Sequence, residues 1–129
     1  MTCPRCSAPV VAFVVPPALR DHAPADETAI CTRCLGTVPA ADAGVETIPE
    51  GPPDLDAVDP AFPDGDAGIA LALLCGHLES FALSRPSIEA LVERAERNGA
   101  DVFVFLDRLD ADRAAFDLQR RRTALLDLL

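Results

Sequence analysis

Four cysteines stand at the front of this chain as two Cys-x-x-Cys pairs, Cys3-Pro-Arg-Cys6 and Cys31-Thr-Arg-Cys34, with 24 residues between the pairs. Two thiolates at this spacing can converge from one tight knuckle while backbone N–H groups point at the sulfurs. Four of them, Cys3, Cys6, Cys31 and Cys34, complete the tetrahedral shell that Zn²⁺ prefers and leave no open position for water or substrate. The pattern therefore predicts one structural Zn²⁺. A disulfide pair, a redox dithiol and an iron–sulfur cluster are the competing readings. Against a thioredoxin-type dithiol, neither pair follows a βαβ pattern or opens a long helix.

Little else in the sequence has the makings of an active site. No Gly-rich phosphate loop, Gly-x-Ser-x-Gly elbow or His-Glu-x-x-His stretch occurs. The fifth cysteine, Cys75, lies in the most apolar stretch and reads as a small core residue. His22 and His77 are the only imidazoles, and His77 falls on a different helical face from Cys75. Arg5 and Arg33 each precede the second cysteine of a pair, where a guanidinium would offset the −2 of four thiolates on one Zn²⁺. The sharper alternative makes Arg5, Arg20 and Arg33 a nucleic-acid contact. Arg120-Arg121-Arg122 reads as a solvated helix face near a C-terminus, or alternatively as a phosphate or acidic-partner contact.

Charge is distributed by segment. Residues 1–38 carry Arg5, Arg20 and Arg33 against Asp21, Asp26 and Glu27. Residues 39–66 carry eight acids (Asp42, Glu46, Glu50, Asp54, Asp56, Asp59, Asp64, Asp66) and no base. A zero-charge front beside that acidic stretch repels phosphate, which argues against nucleic acid. All 11 basic residues are arginine, and the net charge is −10. Acid-rich, lysine-free composition suits solubility in concentrated salt, where repulsion is screened within about 3 Å at 1 M. A high-GC genome would leave the same mark, as would an ordinary acidic protein that happens to lack lysine. No secretory leader is evident and no apolar run reaches the roughly 18 residues of a membrane span, so a cytoplasmic location is expected.

The elements that must position the cysteines follow from the flanking patterns. Val10 to Val15 and Thr28 to Ile30 read as short strands, with a weak helical turn over 18–22 between them. The expected fold is α+β, with a zinc ribbon over 1–38 and a helical domain of three to four helices over 66–129. Between them, residues 39–65, with prolines 39, 49, 52, 53 and 60, read as an acidic extended linker. A linker that wraps onto the folded parts through Val45, Ile48, Leu55, Val58 and Phe62 is the alternative. Helices are expected over Asp66–Leu83, from Ser84 or Pro86 to Asn98-Gly99, over Asp101–Leu109, and over Asp112–Leu129. The third stretch would also suit a buried strand.

The Cys-Pro-Arg-Cys and Cys-Thr-Arg-Cys-Leu-Gly segments, Phe62-Pro63-Asp64-Gly65 leading into Ala67 to Leu74, and Asp107-Arg108-Leu109 before the arginine run together resemble a family of uncharacterised haloarchaeal small zinc-finger proteins related to the Cys-Pro-x-Cys-Gly ribbons. The chain departs from that pattern with Ser7 after the first pair and Leu35 after the second. The resemblance implies a halophilic archaeal cytoplasm and carries no known activity. A helical unit of about sixty residues buries only about 60 % of its unfolded surface. It should gain burial against the ribbon, the linker or a second copy, with Ile69, Leu73, Phe103 and Phe105 in the shared core. The expected role is a non-enzymatic adaptor or regulator that acts through protein partners or a homodimer. No small-molecule substrate and no membrane partner is evident. A transcription-associated nucleic-acid regulator and a Cys-x-x-Cys redox protein are the alternatives.

Overall fold

The computed structural model describes residues 1–128. Strands β1 (Val10–Val14), β2 (Glu27–Cys31) and β3 (Thr37–Pro39) form one antiparallel sheet in the order β1-β2-β3. Val10 pairs with Cys31 and Val14 with Glu27, while Ala29 pairs with Val38. The third strand was not anticipated: Thr37-Val38-Pro39 is too short to show alternation, and it forms because β2 supplies its partner. A 3-10 turn over Pro17–His22 joins β1 to β2, and its leucine, Leu19, is buried.

Four α-helices follow: α1 (Gly65–Leu78), α2 (Arg85–Arg97), α3 (Val102–Arg108) and α4 (Leu118–Leu128). In α1, every residue from Ala67 to Cys75 is buried, so the helix is apolar all round and runs through the centre of the molecule. Two glycines let neighbours come close to it. At Gly68 a methyl group would meet the Pro63 carbonyl and the Leu55 Cδ1, and at Gly76 it would meet the Thr37 side chain of β3. Helix α1 ends at Leu78, earlier than the expected Leu83, and a separate 3-10 turn covers Phe81–Leu83. Pro86 lies in the first turn of α2, and Gly99 beyond its end has φ 92°. Ile88, Leu91, Val92 and Ala95 are its buried face, as their spacing predicts.

The ambiguous stretch after Ala100 is helical because Asp101 caps it. The Asp101 carboxylate accepts the Val104 N–H at 3.0 Å, and no strand lies alongside. The last helix begins at Leu118 rather than Asp112. Asp117 accepts the Arg120 N–H at 3.1 Å in the capping arrangement, and the preceding residues are drawn aside to the cysteine centre. Leu129, the last residue assigned to this helix from sequence, lies outside the described residues.

One apolar core includes Phe13, Ile30 and Leu35 from the front, Leu55 and Phe62 from the middle, and Leu71, Leu91, Leu106 and Leu125 from the helices. Ile69, Leu73 and Phe105 are within it, and Phe103 packs at its margin. Residues 39–65 do not appear as an extended linker. Ala40, Ala43, Leu55 and Phe62 are buried, and Phe62 meets Phe105 edge-on with ring centroids 4.9 Å apart. Apolar residues spaced among prolines thus anchor the segment even though helix is denied to most of it. Asp59 is buried as well, yet satisfied: its carboxylate accepts N–H groups from Ala61 at 2.8 Å and Asp110 at 3.0 Å. The other seven acids of 39–66 are exposed. Among the described residues no helix is long and apolar enough to cross a membrane.

Candidate metal centre

Both knuckles lie at the same end of the antiparallel β1–β2 ladder, where Cys31 stands opposite Val10, and this brings Cys3 and Cys6 against Cys31 and Cys34. The four Sγ atoms all fall within 4.8 Å of one another. Cys3 and Cys34 are 3.8 Å apart, Cys6 and Cys31 3.3 Å. A tetrahedral ion with metal–sulfur bonds of about 2.3 Å requires sulfur–sulfur edges of about 3.8 Å, so the cluster is of the right size to hold one. No pair is joined as a disulfide.

Backbone dipoles support thiolates here. The Arg5 N–H donates to the Cys3 Sγ at 3.4 Å, and the Arg33 and Cys34 N–H groups donate to the Cys31 Sγ at 3.3 and 3.4 Å. The N–H of Ala8 holds the Cys6 thiol down at about 7, with Cys31 as the next contributor. Burial pushes Cys34 up to about 12 against the Gly36 N–H, and burial also raises Cys31. Loading a metal on this site therefore expels protons.

Each knuckle closes with a residue of positive φ directly after its second cysteine, Ser7 at 64° and Leu35 at 60°. These are the two positions at which the chain departs from glycine, and a β-carbon there is strained. The exposed Ser7 has no evident compensation. Leu35 is 1 % exposed and inserts into the main core, so its burial offsets the strain and fastens the second knuckle to the body of the protein. Gly36 makes room for a neighbour: the Arg5 guanidinium packs where a β-carbon would stand.

Arg5 was expected beside the thiolates, and it is. Its pKa is raised first by its bond to Glu79, with the charges of Cys34 and Cys3 contributing less. Its Nη1 donates to both carboxylate oxygens of Glu79 at 2.7 Å, tying the first knuckle to the end of α1. Arg33 is exposed and forms no ion pair among the described residues. A second tie comes from the chain before α4, where the Ala115 N–H donates to the Cys34 carbonyl at 2.9 Å. Neither Glu79 nor Ala115 carries a local signal, because each acts across the fold.

The remaining candidates are taken up by packing. Cys75 is buried in α1, and that burial pushes its thiol up to about 12. The Nε2–H of His77 donates to the His22 carbonyl at 2.6 Å, and His22 Nδ1 shares a hydrogen bond with the Ser87 hydroxyl at 2.9 Å. Both imidazoles thus brace the 3-10 turn against α1 and α2. Arg120 is exposed as expected, but its neighbours are not simply solvated. Arg121 donates to the Glu79 carbonyl at 3.4 Å, while Arg122 pairs with Asp107 at 2.8 Å and lies 5.4 Å from the centre of the Phe103 ring.

The fold and site define an α+β protein with a four-cysteine centre suited to a metal ion. The chain belongs to a family of unknown function, DUF6276, which matches residues 2–129. No curated protein and no solved structure is a significant match.

Proposed function

We propose that the protein is a zinc-stapled, non-enzymatic adaptor of a halophilic archaeal cytoplasm, which works through a protein partner or a second copy docked on its helical part. The observation that carries this reading is the convergence of Cys3, Cys6, Cys31 and Cys34 within 4.8 Å, with N–H groups aimed at the sulfurs. Zinc is the ion such a set suits, since four thiolates in a reducing compartment select a soft, tetrahedral ion. A shell filled by thiolates leaves no position for a substrate, so its contribution is folding free energy.

The nucleic-acid alternative is disfavoured by the employment of the basic groups. Arg5, Arg20, Arg97 and Arg122 are paired with Glu79, Asp26, Glu93 and Asp107 on a chain of net charge −10. The redox alternative needs a dithiol free to cycle. Elemental analysis of the natively purified protein, combined with thiol alkylation, separates these readings. One zinc per chain with all four ligand thiols protected is expected, and chelation should unfold the knuckles. Iron in place of zinc, or a reversible disulfide with no metal, would overturn the staple. Co-purification from native cytoplasm tests the adaptor role, and a protein that returns alone and monomeric would refute it.

A further inference from the structure

β1 is an edge strand, and the ladder with β2 shows which of its backbone groups are spent. The Thr32 N–H donates to the Pro9 carbonyl and the Val15 N–H to the Asp26 carbonyl, so odd-numbered residues from 9 to 15 face β2. The N–H and C=O groups of Val10, Ala12 and Val14 therefore point away from the sheet. Thr2 bridges to Pro9 on that side and covers the Val10 end of the edge; beyond it no strand lies beside Ala12 and Val14, and among the described residues no hydrogen bond reaches their outward groups.

This edge opens into a cleft of about 850 Å³. Consecutive residues from Val10 to Val15 all line it, which means the strand is met along its backbone rather than by one face. The segment around Ile48 also lines the cleft, as does Ile69 of α1. Val14 is 52 % exposed there, a large apolar side chain left open to solvent. Three exposed acids, Glu50, Asp54 and Asp66, also line the cleft, and its one arginine, Arg20, is committed to the Val15 carbonyl and Asp26.

We propose that this cleft receives an extended peptide segment of a partner protein, alternating apolar and basic residues, which adds to the sheet as a fourth strand beside β1. Main-chain hydrogen bonds to Ala12 and Val14 supply affinity, the apolar walls take alternate side chains, and the acids select lysine or arginine. A second copy of this chain is a poorer occupant, because each copy brings a net charge of −10. The proposal names the partner chemistry of the adaptor reading and rests on it.

The test uses the full-length, metal-loaded protein and a fluorescent heptapeptide alternating valine and arginine. Three comparisons are made: the same peptide N-methylated on the backbone edge that would face β1, the Val14→Pro variant, and a Glu50→Gln/Asp54→Asn/Asp66→Asn variant. Val14→Pro removes an outward N–H and leaves the β2 ladder intact. Saturable binding is expected, weakened about tenfold by N-methylation and by Val14→Pro, with a similar loss on neutralising the acids. N-methylation acts on the unaltered protein, so misfolding of a variant cannot mimic the result. Absence of binding, or binding indifferent to N-methylation, overturns the proposal. So does a concentration-dependent dimer that Val14→Pro abolishes, which would make a second copy the occupant. If a cellular partner co-purifies equally with wild type and Val14→Pro, the cleft is refuted while the adaptor reading stands.

Discussion

The matched residues Ser7 and Leu35 allow backbone strain and burial to be separated within one protein. Both adopt φ near +60°, but Ser7 is exposed and Leu35 is buried in the core. A non-glycine residue in this region costs about 1–2 kcal/mol. Glycine relieves that cost, offset by about 0.5–1 kcal/mol of extra unfolded-chain freedom. Ser7→Gly should therefore stabilise the protein by about 0.5–1 kcal/mol, raising Tm by about 2–4 °C for a chain of this size. Leu35→Gly gains the same relief but empties a core position. Truncating a buried leucine costs about 2–5 kcal/mol, so a net loss of about 2–4 kcal/mol is expected. Leu35→Ala loses the side chain and keeps the strain, so it should lie below Leu35→Gly by about 0.5–1 kcal/mol. Urea unfolding at fixed free zinc gives the four stabilities on one scale, since bound metal shifts apparent stability by mass action. The expected order is Ser7→Gly, wild type, Leu35→Gly, Leu35→Ala. A neutral Leu35→Gly would show that the leucine does not anchor the knuckle. A destabilising Ser7→Gly would show that the serine conformation is not strained.

Three further outcomes follow from packing. Gly68→Ala should destabilise by about 1–3 kcal/mol despite alanine's higher helix propensity, because the added methyl meets the Pro63 carbonyl and the Leu55 Cδ1 at 2.8 Å; an unchanged denaturation midpoint would contradict the close approach. Asp59→Asn should cost about 1–3 kcal/mol, since an amide cannot accept both the Ala61 and Asp110 N–H groups. Hydrogen exchange at Asp110 should accelerate with it, and unaltered exchange would refute the bridge. Cys75 should resist alkylation in the native protein and react only on unfolding, because burial encloses it and pushes its thiol up to about 12. Mass spectrometry of briefly labelled native protein checks this, and rapid modification of Cys75 would disprove its enclosure.

Much of the local structure was legible because local rules govern it. The four buried positions of α2 follow helical spacing between Pro86 and Gly99, and the β1 and β2 stretches follow from β-branched runs ended by prolines or leading into cysteines. The misjudged features depend on residues remote in sequence. β3 exists because β2 offers its edge, and α4 starts late because the Ala115 N–H is drawn to the Cys34 carbonyl. The middle segment looked like a linker because prolines and acids dominate its composition. Leu55, Asp59 and Phe62 decide otherwise, each by a contact made with α1 or with the chain around α3.

Sequence alone pointed to the donor set of the candidate metal centre, since residue type and Cys-x-x-Cys spacing specify which sulfurs one knuckle can offer. It also determined the excess of acid and the helical stripe of α2, both properties of composition and short-range periodicity. Only the tertiary structure decided that the two knuckles meet, that Leu35 tolerates a strained backbone, and that Glu79 and Ala115 hold the centre. Those outcomes rest on burial and hydrogen bonds between residues as far apart as Arg5 and Glu79. The open edge of β1 is of the same kind, because a free backbone edge is defined by which strands fail to lie beside it.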